Sequence, residues 1–206
     1  LAAFAQFGSD LDPKTQALAG ELADGLVSHL RDGGSIPEVF ANARRGAERA
    51  GRKLSDDFYL TGQQTLALLQ PGESLTSERV VAECGASVVT GLHSLVAQFL
   101  ETGEDPPDYA KPVWNDYLAW LNTFPPQVRH QRLHASHFSF LDPQEARFIT
   151  PELIKASCLA GTGGEIVEQL RELERQGLKQ VTLYPPLNRQ YRVIEDFAEQ
   201  VIARMN

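Results

Sequence analysis

The stretch from Gly161 to Pro185 sets the frame for the whole chain. A Gly-rich loop, Gly161-Thr162-Gly163-Gly164, leads into Glu165-Ile166-Val167-Glu168-Gln169-Leu170 and a polar helical run that stops at Gln176-Gly177. Val181-Thr182-Leu183-Tyr184 follows as a short strand closed by Pro185. Thr162 with Glu165 three residues later is a capping box, and a Gly past the last periodic residue is a helix stop. A helix that ends and turns at once into a strand is the αβ step of an α/β protein.

The same alternation runs back through the chain. Leu1 to Phe7 reads as a buried strand, and Asp12-Pro13 as the N-cap and first position of a helix over Lys14 to Ala23. Leu26 to Leu30 is a second strand. Ser35 and Glu38 make another capping box, opening a helix that Gly51 ends. Asp57 to Leu69 is extended, with a bulge expected at Thr61-Gly62. Leu75 to Leu100 is the longest helical pattern, and Trp114, Tyr117, Leu118 and Leu121 mark one face of the next helix. Pro151 to Cys158 is a short helix, and Arg189 to Arg204 a terminal one. The pattern predicts four strands, with connections long enough for parallel pairing. The expectation is one α/β domain over 1–206, with about four βα units and extra helices in 75–125. A closed (β/α)8 barrel typically takes about 250 residues, so four units make half of one.

Composition narrows the functional classes. A net charge of −8 argues against a general nucleic-acid binder, which needs clustered Lys and Arg against phosphates. No uninterrupted apolar run approaches the roughly 18 residues of a membrane span, and no basic segment precedes an apolar core at the start. Cys84 and Cys158 lie far apart and form no CxxC pair, as expected of inert thiols in a cytoplasmic protein. The chain begins at Leu1 and its single methionine is Met205, so it is expected to be part of something longer or processed.

Few residue groups carry chemistry. Lys14 and Thr15 open a helix directly after a strand, where unpaired N–H groups and the helix dipole favour a phosphate. The same pattern also fits an ordinary capped helix. His130, His134 and His137 form a second group. With no acidic third ligand nearby, a metal is not expected; surface roles and a place in a substrate pocket both remain open. His134 and His137 precede the apolar run Phe138 to Leu141 and are the pocket candidates. Gly161 to Gly164 lacks a P-loop ending and does not follow an evident strand, so it reads as a structural cap. Trp114, Tyr117 and Trp120 are at helical spacing and read as packing residues.

Three segments carry a family resemblance. Pro13-Lys14-Thr15-Gln16-Ala17-Leu18-Ala19-Gly20-Glu21-Leu22-Ala23-Asp24-Gly25 resembles a recurrent segment of the bacterial-luciferase-like monooxygenases. Ala47-Glu48-Arg49-Ala50-Gly51-Arg52-Lys53 resembles the segment leading to that family's next strand. Gly161 to Pro185, with Ile194-Glu195-Asp196-Phe197-Ala198, resembles its last helix, strand and terminal helix. Here the residue before Pro13 is Asp12, where the family pattern usually has Gly. The resemblance implies the C-terminal half of a (β/α)8 barrel and a flavin- or F420-dependent oxidoreductase acting on a small organic substrate. It implies FMN or F420 as cofactor, with its phosphate at Lys14 and Thr15, and a pocket with His134, His137 and Tyr184; no catalytic residue is named. It also implies that activity needs a second copy or an N-terminal half. The alternative is a folded, non-catalytic remnant.

Overall fold

The structure is a computed structural model and describes residues 4–5, 12–29 and 35–205. In chain order the elements are β1 (Phe4–Ala5), α1 (Pro13–Leu22), β2 (Gly25–His29), α2 (Ile36–Arg49), β3 (Tyr59–Leu68), α3 (Glu78–Thr102), α4 (Lys111–Leu121) and α5 (Arg129–His134). There follow α6 (Pro151–Ser157), β4 (Cys158–Gly161), α7 (Gly163–Arg175), β5 (Gln180–Leu183), α8 (Gln190–Phe197), a π-helical turn (Ala198–Ile202) and α9 (Ala203–Met205). They form two compact units, one of Leu1–Gln64 and Val167–Tyr184, the other of Thr65–Ile166 and Pro185–Asn206.

The first unit is a parallel sheet under helices. β1 pairs with β2, β2 with β3, and β5 with β3, all parallel. Tyr59 donates its N–H to Asp24, whereas Leu60 and Gln64 accept from Lys179 and Tyr184. Successive residues of a strand bond to opposite edges, so β3 lies between β2 and β5. The sheet is open: among the described residues β1 pairs only with β2 and β5 only with β3.

Side chains alternate between the two faces. Leu26, Leu60 and Val181 lie on one face and join Ala19, Ile36, Val39 and Ala43 in a single apolar cluster. α1 starts where Asp12 accepts the N–H of Lys14, with Pro13 at its first position, and Ser35 caps α2 by accepting from the N–H of Glu38. The two helices meet through small residues. A Cβ on Gly20 would sit 1.8 Å from the carbonyl oxygen of Ala43, and one on Gly46 would sit 1.7 Å from that of Ala17.

The second unit is mainly helical. Thr65 to Leu68, the end of β3, pairs in parallel with Cys158 to Gly161 of β4. α3 is capped by Ser77 and ended by Gly103 in the left-handed region. By length and composition α3 alone among the described helices is apolar enough to cross a membrane, yet 61% of its apolar window is buried within the protein. Val80, Cys84, Val88, Leu92 and Val96 form a core with Trp114, Tyr117, Trp120, Phe148 and Ile154. The packing role expected of the helical aromatics is thus observed, and both cysteines are buried and outside any disulfide among the described residues.

Several sequence expectations change. Among the described residues five strands are present, because Cys158 to Gly161 is a strand rather than the end of a helix and a loop. The Gly-rich segment therefore does follow a strand. No bulge occurs at Thr61-Gly62: both residues keep unbroken register with Val27 and Ser28 and with Gln180 and Val181. The terminal helix carries the π-helical turn. Of the expected first strand, only Phe4–Ala5 falls within the described residues.

Candidate functional site

Parallel α/β sheets place ligand-binding residues at the C-terminal ends of their strands. In the first unit those ends carry His29, Gln63, Gln64 and Tyr184. His29, Gln63 and Thr182 are in register and share a face, opposite to the one packed on α1 and α2. Thr61 and Gln180 lie on the same face, and the Thr61 hydroxyl donates to Gln180 Oε1 at 3.1 Å. The His29 and Tyr184 rings stack, with centroids 5.9 Å apart and planes 5° from parallel.

This polar face is unusual for a buried strand. Parallel strands covered on both sides are normally runs of Val, Ile and Leu. β3 is buried from Leu60 to Leu68, yet holds Thr61, Gln63, Gln64 and Thr65. Thr65 donates to the Ser87 hydroxyl at 2.7 Å in the second unit. Gln63 Oε1 is buried and has no hydrogen-bond partner among the described residues. Leaving a buried acceptor unpaired costs on the order of 1–3 kcal/mol, so such an atom marks a place where a ligand group or water completes the bonding.

Lys14 lines a recess of about 560 Å³ with Pro13, Ala17, Arg45, Glu48 and Arg49. α2 thus brings two further cations to the residue named from the sequence. Arg45 donates to Asn42, which in turn donates to Gln16 Oε1 at 2.6 Å, so the guanidinium is held by a buried polar pair. Asp12 Oδ1 accepts the N–H of Lys14 at 2.8 Å and caps α1. Thr15 is half-buried and outside the lining of the recess.

His134 and His137 are exposed and adjacent, with ring centroids 5.6 Å apart. His134 and His130 line a second, partly open recess among α3, α4 and α5; His137 does not. Tyr184 belongs to the first unit, beside His29. Among the described residues no three His, Cys, Asp or Glu side chains are grouped to hold a metal.

The Gly-rich segment is filled by its own side chains. Glu165 Oε2 accepts from the Thr162 N–H at 2.7 Å and from its hydroxyl at 2.8 Å, completing the capping box at the start of α7. A Cβ on Gly163 would meet the Gln200 carbonyl oxygen at 2.3 Å.

Two polar groups of the second unit, the first buried and the second partly buried, have no counterpart in the sequence reading. Glu145 Oε1 accepts from the Tyr117 hydroxyl at 2.7 Å and lies 2.6 Å from His93 Nε2. Burial and then this carboxylate raise the Tyr117 pKa. Arg79 bonds Glu73, Glu83 and the carbonyl of Leu68 at the end of β3. The Arg79 hydrogen bond holds the Glu73 carboxyl down to about 2, whereas burial pushes Glu83 above its ordinary range against the pull of Arg79. The available signal was the i, i+4 pair Arg79–Glu83 inside an apolar helix pattern.

With its open parallel sheet and many helices, the chain is an α/β protein. Its sequence matches the luciferase-like monooxygenase family over residues 8–180, and the chain belongs to that family. Its fold is similar to that of the coenzyme F420 dependent tetrahydromethanopterin reductase from Methanopyrus kandleri, with a TM-score of 0.56 and 16% identity. That likeness covers 98% of this chain and 50% of the reductase, so the chain spans half the length of the structure it matches.

Proposed function

We propose that this chain forms half of a (β/α)8 barrel and serves a flavin- or F420-dependent oxidoreductase acting on a small organic substrate. The observation that carries the reading is the family match over 8–180. The F420 named for the similar reductase supports F420 beside FMN as a candidate cofactor. The donor set fits such a group: Lys14, Arg45 and Arg49 around one recess suit a phosphate, with Asp12 and Glu48 as the opposing charges. Thr15, in the first turn of α1 but outside the lining of that recess, is proposed as a further phosphate contact.

When bound, the cofactor would supply the redox chemistry, and the protein would bind, orient and shield it. The unpaired Gln63 Oε1 offers an acceptor for a ring N–H at the strand ends, and the His29–Tyr184 stack presents a flat aromatic wall. Tyr184 is proposed as a pocket residue of the first unit, and His134 and His137 are proposed, by themselves, as pocket residues of the second. We assign the protein to the cytoplasm, in keeping with two buried cysteines that share no disulfide. Completion by a second copy or by an N-terminal half belongs to the same proposal.

The half-length coverage favours one other reading, a folded remnant that lacks a complete site. Titrating the purified protein with oxidised FMN and with F420, followed by fluorescence, separates the two. The enzyme reading expects saturable binding of one cofactor, weakened about tenfold or more in Lys14→Ala/Arg45→Ala, since a charge-assisted bond is worth about 1.5–3 kcal/mol. Absence of binding by either cofactor overturns it.

A further inference from the structure

We propose that the recess between α3, α4 and α5 binds an apolar molecule bearing one carboxylate. The proposal deepens the assignment of His134 to a substrate pocket. It stands on the second unit alone and needs no cofactor.

The recess holds about 570 Å³, within the range of roughly 300–1,000 Å³ usual for small-molecule sites. Its walls are Phe99 and Leu100 from α3, Leu118 and Leu121 from α4, and Leu133 from α5. Leu121 and Leu133 are 2% and 4% exposed and form the floor, whereas Leu100 is 64% exposed and forms a lip. An apolar surface running from a buried floor to an open lip suits a chain or ring that enters from solvent.

The charged groups of the lining are one cation, Arg129, and one acid, Glu101, and His130 and His134 add imidazole donors. Arg129 is also pre-positioned: its Nε donates to the Phe124 carbonyl at 3.0 Å and its Nη2 to the Asn122 carbonyl at 3.3 Å. Those bonds use two of five guanidinium donors and fix the fork that matches a carboxylate. Each imidazole offers at least one N–H in either protonation state. A cation held still beside an apolar floor recognises an anionic head on an apolar body, and a neutral analogue of equal size leaves the cation unmatched.

Calorimetry on the cofactor-free protein at pH 8 with hexanoate, octanoate and octanol tests this. Octanoate is expected to bind more tightly than hexanoate, by up to about fourfold per buried methylene. It is expected to bind at least tenfold more tightly than octanol. Arg129→Gln should lose about tenfold for octanoate and little for octanol, while Arg129→Lys, which keeps the charge, recovers part of the loss. Leu100→Asp changes only the exposed lip and should weaken both ligands, with the circular dichroism spectrum unchanged. Equal affinity for octanoate and octanol, no binding at millimolar ligand, or an unchanged Arg129→Gln would each overturn the proposal. Because cofactor titration reads different residues, failure of either test leaves the other interpretable.

Discussion

Glu73 and Glu83 flank one guanidinium and respond to their surroundings in opposite directions. Glu73 lies outside the helix and also accepts from the backbone N–H of Gln70 and the Ser77 hydroxyl, so its charged form is favoured. Glu83 is inside α3 and 5% exposed at its side chain, and burial disfavours its charge. The consequence for stability follows from linkage. A carboxyl held at about 2 when folded and at 4.5 when free stabilises the protein above 4.5, and this is lost as pH falls toward 2. Glu73→Gln is therefore expected to lower stability by about 1.5 kcal/mol near pH 7, the usual worth of a charge-assisted bond. The gap between variant and parent should close as pH falls from 4.5 toward 2. Urea melts at pH 7, 4 and 2.5 measure it, and a gap independent of pH would contradict the assignment. This network was not legible in the sequence, because a charged pair inside a helix reads the same whether solvated or buried. Lys14 and His134 were legible as candidates, but Arg45 and Arg49 join Lys14 only through the packing of α2 on α1.

At the scale of elements, local chemistry was read correctly where it is self-contained. Asp12 and Ser35 cap the helices they were expected to cap, and Thr162 with Glu165 forms its box, because each depends on neighbours within three residues. β4 was missed because its four residues follow α6 without a turn, and only pairing with Thr65 to Leu68 makes them a strand. The bulge at Thr61-Gly62 failed for the converse reason: partners on both sides hold the register of β3. The contact between α1 and α2 shows what tertiary context adds to a glycine. Gly20 is needed for close approach, whereas Gly51 has a φ of 70° and open space around it. Gly20→Ala is expected to cost about 3 kcal/mol, the upper part of the overpacking range, since the obstructing atoms are backbone. Gly51→Ala should cost about 1 kcal/mol, from the left-handed backbone alone. Denaturant midpoints of the two variants rank the effects, and an equal or smaller loss at Gly20 would show that the helices separate without penalty.

For the whole molecule the open sheet is the governing fact. A parallel strand with an unpaired edge is a template for another strand, and proteins usually cover, charge or shorten such edges. β5 is four residues long and pairs only with β3 among the described residues. A further apolar surface runs into and along α8, where Leu187, Tyr191 and Ile194 are 81%, 76% and 52% exposed at spacings of four and three residues. Tyr191 and Ile194, three residues apart, share one face of α8, and Leu187 lies in the turn before it, while Val193 and Val201 are buried. Exposed apolar faces of this kind are association surfaces on soluble proteins, and the reductase of similar fold is twice as long as the stretch matched here. The proposed completion by a second copy or an N-terminal half therefore predicts self-association of the isolated chain at micromolar concentration. Sedimentation velocity should show a species heavier than one chain, and Tyr191→Glu with Ile194→Glu should shift it toward the monomer without loss of helical signal. A mixture with a separately expressed N-terminal half would then form a one-to-one complex at the expense of the self-associated form. A monodisperse single chain across the concentration range, unchanged by the double substitution and indifferent to the added half, would remove the argument that this sheet is built to be completed.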